Sequence, residues 1–114
     1  MNIIDNLLSR VLKDWETELQ NNEWFFSDIR DSIISNTTEE EAFRSIPQLL
    51  EILMHCNDTY LTDELLVILM TLVRKSATTE CPEGLKDAMK KIEAKSDLYG
   101  RSILSEIKNH YMLD

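Results

Sequence analysis

At 114 residues, 43% of them apolar and only two each Gly and Pro, the chain is long enough to bury one core and too poor in turn residues for a sandwich or barrel. Its net charge of -9 disfavours nucleic acid and anionic membranes as partners and favours a basic one. The longest apolar run, Leu65 to Met70, falls far short of the roughly 20 residues of a membrane span, and two cysteines without a secretory signal predict reduced thiols in a cytoplasm.

A first helix is predicted from about Asn2 to Gln20. Ile3, Ile4, Leu7, Leu8, Val11, Leu12, Trp15 and Leu19 form an unbroken amphipathic stripe along it. Asn21-Asn22 ends it, and Asn22 is placed to cap a second helix over about Glu23 to Ser35. At 100° per residue, Phe25, Phe26, Ile29 and Ile33 share one face of that helix, while Trp24, Asp28 and Asp31 share the other. A polar face has no use for a Trp unless something covers it. Either Trp24 folds back under the first helix, as in a hydrophobic staple, or a partner covers it.

Thr38-Glu39-Glu40-Glu41 has the pattern of a capping box, and its three acids suit the positive end of a helix dipole. The third helix therefore starts near Glu39. Pro47 lies inside its stripe, which predicts either a kink near Arg44 to Ile46 or two shorter helices with Ser45 as the second cap. The fourth helix is expected after Thr62, with Asp63 and Glu64 in its first turn and Arg74 and Lys75 in its last. It is apolar on every side from Leu65 to Met70, so it should sit at the centre with the others packed about it. Pro82 opens a fifth helix to about Lys95 that turns Leu85, Ala88, Met89 and Ile92 inward and Lys86, Lys90 and Lys91 outward. Ser96 or Asp97 caps a sixth, which carries Leu98, Ile103, Leu104, Ile107 and Tyr111, with Gly100 marking a close approach.

The expected fold is a single all-α domain over residues 1–114. Five or six helices form three antiparallel hairpins (2–35, 38–76 and 82–113), as an irregular bundle or a short stack resembling helical repeats. Its core should include Leu8, Leu12, Trp15, Phe26 and Ile29 from the first hairpin. From the second come Leu50, Leu53, Leu66, Leu69, Met70 and Leu72, and from the third Met89, Ile92, Ile103 and Ile107.

No catalytic, cofactor-binding or metal-binding constellation is legible. His55, His110, Cys56 and Cys81 match no zinc-ligand spacing, Asn57 to Glu64 lacks the Gly and the final Glu of an EF-hand, and Gly84 and Gly100 alone make no phosphate loop. The charge is more informative. Residues 1–64 carry 14 acids and 4 bases, a net of -10; residues 65–114 carry 7 acids and 8 bases, a net of +1. The predicted protein-binding face is therefore on the N-terminal half. There Asp14, Glu18, Glu39, Glu40 and Glu41 would surround Trp24, Asp28 and Asp31.

In its small size, acidity, helical pattern and Leu/Ile-rich pair at 46–76, the chain resembles the all-helical bacterial immunity proteins, cognate inhibitors of polymorphic and contact-dependent toxins. That resemblance implies a non-enzymatic cytoplasmic protein without a cofactor that binds a basic, often nuclease, toxin and blocks it. A nucleic-acid mimic is a special case of this reading. A helical adaptor that docks a protein without inhibiting it, and an enzyme or small-molecule binder, are the alternatives.

Overall fold

The computed structural model describes residues 3–113, and among these every regular element is a helix. In chain order they are α1 (Ile3–Asn21), α2 (Phe25–Asn36), α3 (Glu39–His55), α4 (Thr59–Ser76), α5 (Leu85–Ala94) and α6 (Leu98–His110). The expected helix start at Asn2 lies outside the described residues.

The broad apolar face of α4 sets the arrangement. Leu65, Leu66, Ile68, Leu69, Leu72 and Val73 form one broad face of it and are all fully buried, while Val67 and Thr71 on the other side are half-buried. α3 covers one side of α4 and makes the most extensive contact in the molecule; α2 and α6 cover two others. α1 and α5 in turn pack against α3. The three hairpins therefore stack, with α1, α3 and α5 in one layer and α2, α4 and α6 in the other. The extents of 40 × 30 × 19 Å fit a slab two helices thick. The fold is a helical bundle built from three hairpins, within the arrangements open to the sequence.

Ion pairs and lysine–carbonyl bonds border these interfaces. Lys75 Nζ donates to the Ile34 carbonyl at 2.7 Å, joining α4 to α2, and Lys95 Nζ donates to the carbonyls of Leu53 and Cys56 at the end of α3. Positive charge at a helix C-terminus opposes the dipole there, so these lysines serve the helices as well as the interfaces.

Several boundaries differ from expectation, each for a local reason. α4 starts at Thr59, a turn early, because the Asp58 carboxylate accepts the Leu61 N–H at 2.9 Å; Asp63 and Glu64 therefore sit in its second turn. The earlier start also buries Leu61 and Thr62. α5 starts at Leu85 and not at Pro82, because Gly84 adopts a left-handed φ of +80° that no helix continues through. α3 runs through Pro47 as one helix. Pro47 is on the exposed side, where the carbonyl it leaves unpaired faces water, and Ser45 is no second cap: its hydroxyl donates back to the Glu41 carbonyl at 2.9 Å.

α1 departs most. Its backbone leaves helical geometry at Asp14 (φ -163°, ψ 52°), so the stripe read as continuous is broken. Ile4, Leu8 and Val11 remain buried on the first segment. Beyond the break, Trp15 is half-buried, 6.1 Å from Phe26 and stacked on Tyr60 at 5.5 Å. Leu12, expected in the core, is 50% exposed. Leu98, carried on α6 but not expected in the core, is 85% exposed at the start of that helix. The remaining expected core residues are buried.

The start of α6 meets α4 at Gly100. A β-carbon there would lie 3.0 Å from Asp63 Oδ1, 3.1 Å from Ser96 Cβ and 3.2 Å from Leu66 Cδ1, so Gly permits the close approach the sequence suggested. Asp63 Oδ1 is buried with no N–H or hydroxyl donor against it; its hydrogen-bonding neighbour is another carboxyl, Asp97, which caps α6 by accepting the Gly100 N–H at 2.8 Å. Burial, the Asp97 carboxyl and then Glu64 push the Asp63 pKa up to about 6, while its bond from Gly100 pulls Asp97 down. Below about pH 6 Asp63 is therefore the carboxyl of the pair that takes up a proton.

Two measurements follow from this packing. Leu69→Ala should cost about 2–5 kcal/mol in denaturant unfolding, whereas Leu12→Ala should cost under about 1 kcal/mol because Leu12 is half in water. Equal losses would contradict the placement of α4 at the centre. Asp63 binds its proton more tightly folded than unfolded, so its contribution is present below the unfolded pKa and lost as pH rises through about 6. Asp63→Asn offers Asp97 an N–H at every pH. The variant should exceed the parent by about 1 kcal/mol at pH 8, after allowance for solvent access, and the gap should narrow below about pH 6 and close below about pH 4. A gap independent of pH would exclude the raised Asp63 pKa.

Candidate functional site

The corner between α1 and α2 is built by Asn22. Its Oδ1 accepts the Trp24 N–H at 3.0 Å, its carbonyl accepts the Phe25 N–H at 3.0 Å, and its Nδ2 donates to Asp28 Oδ2 at 2.9 Å. Asn22 thus closes a turn on the residue two ahead instead of capping the helix, which is why α2 begins at Phe25 and not at Glu23. Phe25 and Phe26 turn inward as an edge-to-face pair, 5.0 Å between centroids. Their burial leaves Trp24, at the cap position, on the outside. Its residue exposure is 63%, so it does not fold back under α1; Trp15 occupies the space beside Phe26 instead.

Asp28 and Asp31 follow on α2, three residues apart and both exposed. Asp28 is held toward the corner by Asn22. Asp14 and Glu18 belong to the second segment of α1, which leads into the same corner: the Glu18 carbonyl accepts the Asn22 N–H at 3.0 Å. Asp14 is exposed at the break. Glu18 is engaged by Arg10, eight residues back, whose guanidinium also lies 5.2 Å from the centre of the Phe25 ring. The Glu18 hydrogen bond raises the Arg10 pKa. One cation is thus set among the acids of this corner, a feature the sequence pattern did not single out.

Glu39, Glu40 and Glu41 do not surround Trp24. They start α3, beyond the far end of α2, about 17 Å away along that helix at 1.5 Å per residue. The capping box there is complete: Thr38 Oγ1 accepts the Glu41 N–H at 3.1 Å and Glu41 Oε1 accepts the Thr38 N–H at 2.9 Å. Glu40 pairs with Arg44. The structure therefore links Glu18, Trp24 and Asp28 at one corner through Asn22 and Arg10, leaves Asp14 and Asp31 further along α1 and α2, and starts the Glu39–Glu41 run beyond the far end of α2.

A second surface feature was not anticipated. An open groove of about 700 Å³ lies between α1 and the α3–α4 turn, lined by Leu12, Ile52 and Leu61 with Glu51, His55, Cys56, Asn57 and Asp58 at its margins. Leu12 lies at the edge of the buried stripe of Ile4, Leu8 and Val11, just before the break at Asp14, and nothing in the helical wheel of α1 signals that break.

The groups with chemical potential are otherwise occupied. His55 Nε2 lies 2.9 Å from Glu51 Oε1, His110 Nε2 lies 2.8 Å from the Thr78 carbonyl, and Cys56 Sγ donates to the Asp58 carbonyl at 3.6 Å. Both thiols are free. Burial, with Cys81 nearby, pushes the Tyr111 hydroxyl up to about 12. Among the described residues no cluster of His, Cys, Asp and Glu could hold a metal ion, and no helix is long and apolar enough to cross a membrane. No family model matches the chain, and no curated protein or solved structure is significantly similar to it.

Proposed function

We propose that this chain is a non-enzymatic, cytoplasmic protein-binding inhibitor, an immunity protein that neutralises a cognate toxin through its acidic N-terminal half. The observation that carries the reading is Trp24: a 63% exposed indole on a corner whose backbone is fixed by Asn22, with Asp28 beside it and Asp31 further along α2. Trp dominates binding energy in many interfaces when surrounding groups exclude water from it. A rigid corner presents it at little conformational cost. The acids around it, in a half of net charge -10, would steer a basic partner such as a nuclease toxin and chiefly raise the association rate. Glu18, already paired with Arg10, contributes less to that field than Asp14, Asp28 and Asp31. A helical adaptor is the second reading, and the apolar groove beside Leu12 favours it, because it offers a docking place apart from the acidic corner.

Affinity capture from the native host followed by mass spectrometry should recover a basic protein. Trp24→Ala should then speed dissociation and cost about 2 kcal/mol or more of affinity. The pair Asp28→Asn and Asp31→Asn should mainly slow association, and the slowing should fade as salt screens the charges. Loss of the captured protein's activity at one-to-one stoichiometry supports an inhibitor; unchanged activity supports an adaptor. An acidic partner, or a Trp24→Ala protein that melts several degrees lower yet binds normally, would overturn the acidic-corner reading.

A further inference from the structure

We propose that the groove between α1 and the α3–α4 turn seats an aliphatic or aromatic side chain from a basic protein segment, flanked by Lys or Arg that meet the acidic margin. The proposal rests on the reading of the partner as a basic protein and adds the place where its apolar anchor goes.

The floor is apolar: Leu12 is 50% exposed, and Ile52 and Leu61 lie beneath. Tyr60, 49% exposed, is stacked on Trp15 beside Leu61 and extends the apolar surface. An exposed Leu is unremarkable singly; a Leu at the mouth of a concave apolar site is not. The margin decides what chemistry fits. Glu51 and Asp58 are acidic and His55 is paired with Glu51; no Lys or Arg lines the groove, and the one cation at its margin, Lys95, is tied up on the Leu53 and Cys56 carbonyls. A cationic segment is therefore attracted and an anionic one repelled. Both features are needed, because the acids alone give rate without residence and the apolar floor alone gives no sign preference. A second copy of this chain is the less fitting occupant. Its lysine-rich helix α5 has its own apolar residues, Leu85, Ala88, Met89 and Ile92, turned inward as core.

The test is selection of a displayed library of random 12-residue peptides on the full chain, followed by titration of the enriched peptides with variants. Enriched peptides should combine Leu, Phe or Trp with Lys or Arg. Leu12→Glu should weaken them about tenfold or more. This variant adds an acid, so electrostatics alone would strengthen a basic peptide; a loss isolates the apolar contact. Glu51→Lys, on the exposed margin, should weaken them about threefold at low salt and less at high salt. Trp24→Ala should leave them unchanged, and the melting temperatures of all variants should match the parent.

Basic peptides that bind Leu12→Glu as well as the parent, and lose affinity on Trp24→Ala, would overturn the groove while sparing the basic-partner reading. Enriched peptides that are neutral or acidic would overturn both the proposed occupant and that reading. Selection that enriches no peptide over the Leu12→Glu protein would overturn the groove alone. So would a parent that dimerises in sedimentation where Leu12→Glu does not, because a second copy would then be the occupant.

Discussion

Everything in this molecule depends on the desolvation of α4. Its broad face of leucines, isoleucine and valine is too wide for one neighbour to cover, and each such side chain left exposed forfeits about 1.5–3 kcal/mol. α3 covers one side, and two further helices are needed for the rest. α2 and α6 supply that cover, and α1 and α5 then cover α3. The stacked-hairpin order is what remains when one apolar helix must be wrapped by a chain whose neighbouring elements are joined by short turns.

The polar contacts are subordinate to that burial. Lys75 and Lys95 reach carbonyls on neighbouring helices, and Arg30 lies 3.5 Å from Glu64 between α2 and α4. They satisfy groups at the borders of apolar interfaces instead of creating the interfaces. Asp63 and Asp97 differ: two carboxyls meet where Gly100 lets α6 pack tightly on α4, and burial beside Asp97 pushes the Asp63 pKa up to about 6.

The same packing demand shapes the surface. Trp15 must reach Phe26 and Tyr60, and α1 breaks at Asp14 to let it do so. Just before the break, Leu12 lies at the edge of the α1 stripe and lines the groove. On the other side of the corner, burying Phe25 and Phe26 expels Trp24. Both exposed apolar positions lie in the acidic half of the chain. This is where a partner of opposite charge would find something apolar to hold.

Periodicity alone determined much: six helices, three hairpins, the capping box at Thr38, a central α4 and the close approach at Gly100 were all legible. These are local or composition-level properties, set by 3.6-residue spacing, by cap chemistry and by the absence of turn residues. The exposure of Trp24 was legible only as an alternative, because a helical wheel gives the direction of a side chain but not what stands there. The break at Asp14, the exposure of Leu12, the distance of Glu39–Glu41 from the acidic corner and the raised pKa of Asp63 beside Asp97 were decided by tertiary structure. Each depends on residues far apart in sequence competing for one space, or being kept from it by the length of a helix. No local pattern records the outcome of that competition.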